Sequence, residues 1–518
     1  MLFTWQDMWQ AASAQAPFQI EEATISQIHA AMRAKRLTCR ALVELYLKRI
    51  EAYDKQGPAL NAITIVNPGA AKQAAELDQR FAKSGLTGPL HCVPMIVKDN
   101  FETIGLQSAA GSITLQGFVS DRDAFQVKQI KAAGAIVLAK SNMGEFAFSP
   151  YETLNSLQGH TKNPYALDRV PAGSSGGTAA AVATSFGAVG LGSDTGNSIR
   201  GPSSHAALVG IRSTMGLTSR AGVIPLSYLA DIAGPMARTV EDAVAVFQVI
   251  VGEDPDDPMT ARSRGRTVPV YAKSLVRDGL KGARIGVLRQ AYERPAQTPG
   301  APPAVDEEIV TVFAKAIDDL KAAGADIVDP AAVDLSNVRR AQGVGACRGF
   351  KYDINDYLAT RGARAPVHSL DEILASPLFE KIPPSAQQRL KGAAGSTPQG
   401  PESDACKADA AYRGAYGAAV TKAMDDLKLD AFVYPTWSQP PRLIAEATRG
   451  NDGDNSQQFS PTSGFPAISV PMGYTRNGQL PAGMTIFGRA WDEARLIRLA
   501  FAYEQATRHR RKPLLMGQ

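Results

Sequence analysis

"DAFQVKQIKAAGAIVLAKSN", residues 123–142, sets the grammar of this chain. It reads as a helix closed at Gly134, where glycine accepts the left-handed cap, followed by a buried strand through Ile136, Val137 and Leu138. The same order returns in "DEEIVTVFAKAIDDLKAAGADIVDP" (306–330), which closes at Gly324 before Ile327 and Val328. Both contain KAAGA, but no longer repeat surrounds that string, so it marks a common helix-to-strand turn. Short apolar runs at 283–288 (ARIGVL), 430–436 (DAFVYPT), 467–472 (AISVPM) and 483–488 (GMTIFG) read as further buried strands. Strands separated by helices predict an α/β fold: a twisted, mixed but mostly parallel sheet covered by helices on both faces.

Upstream, residues 24–53 read as two helices. Thr24 with Gln27 forms a capping box ahead of Ile25, Ile28 and Met32. After Thr38, the residues Leu42, Leu45, Tyr46, Arg49 and Ile50 keep an amphipathic spacing. Two segments look like irregular excursions: 252–268, and 374–409, which is long enough to wall a pocket. No linker divides the chain. One large domain is expected over 1–518, with a helical segment in 1–80, the chemistry in 81–250 and the rest of the α/β core in 251–518.

Composition narrows the function classes. Hydrophobic residues are 44% and charged residues 20% of the 518, which supports a sizeable soluble core. A net charge of +5 over this length, with scattered Lys and Arg, carries no nucleic-acid stripe. The basic cluster Arg508–Lys512 reads as a solvated helix end. Cys39, Cys92, Cys347 and Cys406 show neither a CxxC pair nor a metal spacing and read as reduced thiols. No run of about 18 apolar residues spans a membrane. The N-terminal "MLFTWQDMWQAASAQAPF" has small residues at cleavage-like spacing, yet it lacks a basic start and is not read as a signal peptide. A cytoplasmic location is therefore expected.

The chemistry gathers in "PAGSSGGTAAAVATSFGAVGLGSDTGNSIRGPSSH" (171–205), where two serine-bearing glycine turns lie 24 residues apart. Gly173–Gly177 fits the G-x-S-x-G elbow of α/β-hydrolases, with Ser175 as nucleophile. That elbow needs a strand before it, and "NPYALDRVPA" reads as loop. It also needs a later histidine: His205 is too near in sequence, His368 sits in a polar stretch and His509 in the basic tail. In the second turn, "GSDTGNSIRGPS", successive N–H groups from Thr195 to Ser198 can converge on an oxyanion. A phosphate loop would need G-K-[ST] or G-x-G-x-x-G, and neither is present. A serine without histidine needs another base. Lys98 ends the apolar run Val93–Val97, where burial lowers an amine from about 10.4 towards neutrality.

Together these elements resemble the amidase signature family, whose members carry a lysine after an apolar strand, then GGSSGG, then DTGGSIR. Similarity extends through 224–243, 463–473 and 480–507, and so covers about residues 24–507. The resemblance implies Ser198 as nucleophile. Ser174, beside a cis peptide bond, would bridge it to neutral Lys98. The N–H groups of Thr195, Gly196, Asn197 and Ser198 would hold the oxyanion, braced by Ser175, Asp194 and Arg200. No metal or organic cofactor is implied. Two positions depart from the pattern. Ala172 replaces a glycine, which a negative φ would allow. Asn197 replaces another, and is the least costly substitute where φ is positive.

The resemblance also implies a small-molecule partner: an amide, or a carbamate or ester, with a homodimer allowed and no nucleic acid. Loops near 146–157, 226–232 and 374–409 would supply Phe146, Phe148, Tyr151, Tyr228, Leu229 and Leu378, perhaps with Phe379, to the pocket. That lining suits an apolar or aryl amide. The family also includes a component of the glutamyl-tRNA amidotransferase, its A-type amidase chain, which works in a complex. Against it, residues 250–430 show no match to that component and the chain is longer than it needs. A catalytically dead relative would have lost Lys98, Ser174 or Ser198, and all three are present.

Overall fold

A computed structural model describes residues 18–293, 305–340, 344–447 and 453–514; the N-terminal segment that raised the signal-peptide question lies outside them. Eleven strands form one sheet: β1 (Ile63–Val66), β2 (Pro94–Lys98), β3 (Ile136–Ser141), β4 (Val189–Asp194), β5 (Val209–Arg212), β6 (Ile232–Ala237), β7 (Arg284–Leu288), β8 (Asp326–Ala331), β9 (Ala431–Pro435), β10 (Ala467–Thr475) and β11 (Leu480–Phe487). Their order is β1-β3-β2-β4-β6-β5-β10-β11-β9-β7-β8.

The sheet is mixed, as expected, but parallel pairing does not predominate. Four neighbouring pairs are parallel, β2–β3, β2–β4, β7–β8 and β7–β9. The other six are antiparallel. One antiparallel pair is a hairpin that the sequence signals: β10 and β11 are joined across Arg476, Asn477 and Gly478, all at positive φ. An Asn-Gly step supplies that geometry at low cost.

The two N-terminal helices form as read, over Ile25–Arg33 and Cys39–Tyr53, with the Thr24–Gln27 capping box in place. Helices Phe125–Ala132 and Glu307–Ala322 precede β3 and β8 in the predicted order, and Gly134 and Gly324 both adopt φ +95°. Between β3 and β4 runs Gly176–Ala183, a short helix buried along its whole length. Its small residues let it lie directly on the chain beneath. A Cβ on Gly177 would sit 2.2 Å from the carbonyl oxygen of Asn142, inside any tolerable contact.

Four expectations need correcting. First, all four cysteines are paired, as Cys39–Cys92 and Cys347–Cys406. The partners lie 53 and 59 residues apart in sequence, so no local spacing betrays them, yet their Cα atoms come within 5.5 and 4.6 Å. Second, 374–409 is largely helical rather than irregular. Pro384 opens the helix Pro384–Ala394, where a missing N–H costs nothing, and Ser403 caps the helix Asp404–Asp426. Third, 252–268 contains the 3-10 turn Pro258–Ser263, capped by Asp257. Fourth, the basic cluster is not a solvated end. Arg510 pairs with Glu22 at 2.7 Å, Lys512 with Glu21 at 2.9 Å and His509 with Asp319 at 2.9 Å. These charges dock the C-terminus rather than reaching outwards.

Candidate active site

Strands β2 and β4 are parallel neighbours in the sheet, with Val97 opposite Leu191. Their carboxyl ends therefore open on the same edge, the usual place for ligands in such sheets. Lys98 ends β2 and Asp194 ends β4, so the second serine turn begins one residue beyond the strand. The first serine turn enters the helix Gly176–Ala183 from a loop, with no strand before it. That departs from the strand–turn–helix arrangement an α/β-hydrolase elbow requires.

At this edge the Gly173–Ser174 peptide bond is cis. Lys98 Nζ lies 2.7 Å from Ser174 Oγ, 2.9 Å from Ser193 Oγ and 3.3 Å from the Ser193 carbonyl oxygen. The amine is fully buried. Burial is the largest influence on it and, against the opposing pull of Asp194 and Asp231, brings its pKa down to about 7. Ser193 is a partner that sequence reading missed, although it stands within the quoted turn. Asn100 Nδ2 fixes it by donating to the same hydroxyl at 3.1 Å.

Asp194 anchors the second turn from below. Burial alone would raise its pKa, but the Arg200 and Arg212 guanidiniums outweigh that and hold it down to about 2. Arg200 Nε donates to Oδ2 at 3.1 Å and Arg212 Nη1 to Oδ1 at 3.0 Å, while the Ile199 and Arg200 N–H groups donate to Oδ2. Arg212 comes from the end of β5 and nothing near it in sequence marks it. On the other side, Thr195 donates its hydroxyl to Asp231, which in turn accepts from the N–H groups of Leu226 and Ser227, both at 2.9 Å. Ser175 Oγ donates to the Ser193 carbonyl at 3.2 Å, and the Ser175 N–H to the Ser198 carbonyl at 3.3 Å. With the turn braced this way, the N–H groups of Thr195, Gly196, Asn197 and Ser198 meet no acceptor among the described residues.

The two departures resolve differently from expectation. Ala172 takes φ +63°, so alanine is held in the left-handed region that glycine would occupy freely. Asn197 is not at positive φ. Its amide Nδ2 donates to the Gly173 carbonyl at 3.1 Å, the oxygen of the cis peptide itself. The asparagine thus ties one serine turn to the other.

Above these residues opens a cavity of about 530 Å³, with Thr195–Ser198 on its floor. Of the six side chains expected to line it, Phe148 and Tyr151 do. Phe146 is buried in a separate apolar cluster, and Phe379 joins the same cluster. Tyr228 packs under the guanidiniums of Arg220 and Arg348. Leu229 faces a different cavity, and Leu378 precedes the short turn Phe379–Lys381. Instead the walls carry Leu226, Arg389, Asp454, Gln457 and Gln458. Gln457 Nε2 donates to Asp454 Oδ2 at 2.8 Å. Burial, only partly offset by that bond, lifts the Asp454 carboxyl to about 7. None of the later histidines reaches the cavity. His205, for example, stacks on Trp437 with ring centroids 4.9 Å apart.

Comparison with known proteins agrees with this geometry. The chain is 34% identical to a probable amidase of Arabidopsis thaliana over 96% of its own length and 92% of that protein's. It is 31% identical to the A-type amidase chain of the glutamyl-tRNA(Gln) amidotransferase of a Synechococcus strain, over 95% of this chain and 93% of that one. The alignment runs through 250–430 and nearly to both ends, which overturns the expectation that this relative is unmatched there and shorter. In three dimensions the chain resembles the peptide amidase of Stenotrophomonas maltophilia, with a TM-score of 0.86 and 35% identity, covering 97% of this chain and 100% of that one. Residues 41–497 match the family described as Amidase, and the chain belongs to that amidase-signature family.

Proposed function

We propose that this amidase hydrolyses linear amides through Ser198, Ser174 and Lys98. The observation that carries the reading is a buried, nearly neutral lysine at 2.7 Å from the hydroxyl beside the cis peptide. With its pKa at about 7, a substantial share of Lys98 is free of its proton at neutral pH. It takes the Ser174 proton as Ser174 takes that of Ser198, and Ser198 Oγ bonds to the amide carbon. The carbonyl electrons move to oxygen, where the N–H groups of Thr195–Ser198 receive them. The relay then reverses and delivers the proton to the leaving nitrogen, which makes amine departure feasible. Water, deprotonated by the same route, releases the acid from the acyl-enzyme. Asp194, Arg200 and Ser175 hold the turn and do not touch substrate.

The substrate we favour is peptide-like rather than the purely apolar aryl amide expected from sequence. Arg389, which has no polar partner among the described residues, together with Gln457 and Asp454, gives the cavity hydrogen-bonding walls beside Phe148 and Tyr151. Such walls suit amide carbonyls and N–H groups flanking the scissile bond. Carbamates and esters fit the same chemistry as secondary substrates. The two disulfides favour an oxidising compartment over the cytoplasmic one expected from free thiols.

A second reading, the amidase component of a glutamine-dependent tRNA amidotransferase, rests on the nearly full-length 31% identity to that protein. One experiment separates the two. The purified chain, alone, is given an N-acyl dipeptide amide, the matched acyl anilide and glutamine. Ammonia release from the dipeptide amide at ten times the anilide rate or more supports the favoured reading. A faster anilide returns the substrate to the aryl class. Turnover of glutamine alone points to the amidotransferase.

A further inference from the structure

Behind the wall of the catalytic cavity lies a second one, of about 420 Å³. The two are back to back. Leu226 and Pro461 face the first, while Leu229, Thr462 and Ser463 face the second. The second cavity is not used by the chemistry above.

Its body is apolar. Met215, Leu229, Met259 and Phe465 line it, with the Cys347–Cys406 disulfide on one side. Methionines give a wall that adapts to varied apolar shapes. One face is the helix Asp404–Asp426, which turns Ala410, Gly414, Gly417 and Ala418 towards the space. A glycine inside a helix costs about 1 kcal/mol relative to alanine, so two within one turn need a reason. At Gly417 the reason is packing, because a Cβ would stand 3.2 Å from the Phe465 ring. At Gly414 it is not, because a Cβ would meet nothing within 4 Å. That position keeps the cavity open.

Its charge is unbalanced. Three guanidiniums line it, Arg262, Arg348 and Arg413, against one carboxylate, Asp409. Arg413 is tied to Asp409 at 2.7 Å, and Arg348 to Asp353 at 2.6 Å. Arg262 has no side-chain hydrogen bond or ion pair among the described residues. Its charged neighbours are Arg220 and Arg413, whose repulsion adds to partial burial in lowering its pKa. The cavity is one anion short, and that anion belongs beside Met259, Met215 and the apolar wall.

We propose that this cavity is a binding site for an amphipathic carboxylate, with the acid group on Arg262 and the hydrocarbon body against Met215, Leu229, Met259 and Phe465. A planar carboxylate matches a guanidinium through two parallel hydrogen bonds, and the apolar lining supplies the affinity that a surface arginine alone cannot.

Decanoate is the probe, with decan-1-ol as its uncharged match. Both are titrated calorimetrically into the full chain carrying Ser198→Ala, which prevents turnover. Decanoate should bind at one site and more tightly than the alcohol. Arg262→Ala should weaken decanoate at least tenfold and leave the alcohol unchanged. Gly414→Leu, which fills open space and favours the helix, should abolish both. Arg262→Ala in the active chain should keep its amide turnover. Failure of decanoate to bind overturns the proposal. So does binding that neither substitution weakens, or that a saturating amide substrate displaces, since that would place the acid in the catalytic cavity. Thermal melts of both variants establish that they are folded, and Arg262→Ala decides the matter if Gly414→Leu is not.

Discussion

Two fully buried lysines stand on adjacent strands of this sheet, and they differ in what surrounds them. Lys98 ends β2, and Lys140 lies next to it in β3, paired in register with Val97. Around Lys140 Nζ are three backbone carbonyls, Asp99 at 3.3 Å, Phe101 at 2.7 Å and Gln107 at 3.1 Å, with Ser108 Oγ at 3.0 Å and the Asp99 carboxylate at 4.0 Å. Carbonyls only accept, so they hold the ammonium form in place. Lys98 meets two hydroxyls, which can donate as well as accept, and no carboxylate within ion-pair distance among the described residues. Burial dominates both, but Asp99 and Glu102 leave Lys140 at about 8 while Lys98 falls to about 7. Lys140 is a staple across a loop. Lys98 can pass a proton. Burial alone does not make a base; acceptors that can return the proton do.

The largest effects should separate the two. Ser198→Ala is expected to lower amide turnover by at least about 10⁴-fold. Lys98→Met should lower it by about 10³- to 10⁴-fold, and ester turnover less, because an ester oxygen leaves without full protonation. Equal losses on matched amide and ester substrates would deny Lys98 its role towards the nitrogen. Lys140→Met should act on stability instead, costing about 3 kcal/mol in denaturant melts by stranding the loop carbonyls and Asp99. If that variant melts like the parent but loses turnover, the contrast between the lysines fails.

The pH profile sharpens the same contrast. Lys98 must be neutral to act, so protonation removes activity as pH falls. The kcat/KM for an amide should be flat above about pH 7 and drop tenfold per unit below it. A smaller effect tests the hydroxyl environment itself. Ser193 Oγ accepts from Lys98 and so favours the charged form; Ser193→Ala should lower the midpoint by about half a unit. A midpoint that rises would mean Ser193 donates to the amine rather than accepting from it.

The smallest prediction concerns the backbone. Ala172→Gly should stabilise the protein by about 1 kcal/mol, because φ +63° is open to glycine and crowded for alanine. Unchanged thermal and denaturant midpoints would show that the alanine side chain's packing offsets its backbone conformation.

The sequence by itself determined whatever depends on neighbours along the chain. Helix caps at Thr24 and Ser403, the glycine stops at Gly134 and Gly324, and the Asn-Gly hairpin turn are all local, since each satisfies backbone groups within a few residues. The candidate residues Lys98, Ser174 and Ser198 were legible because two glycine turns and an apolar strand end make a recognisable pattern at fixed spacing.

Tertiary structure alone decided the rest. "VPMIVKDN" and "AIVLAKSN" both end an apolar run on a lysine, and only the fold puts hydroxyls around one and carbonyls around the other. The cysteine pairs, the charges that dock Arg510 and Lys512, and the identities of Arg212 and Arg389 at the site join residues far apart in the chain. The pocket walls moved for the same reason. A loop names its residues, but which side chain faces a cavity depends on backbone direction fixed by partners elsewhere, as Arg220 and Arg348 fix Tyr228. Local backbone demands can be read from one stretch of chain, whereas side-chain surroundings are a property of several stretches at once.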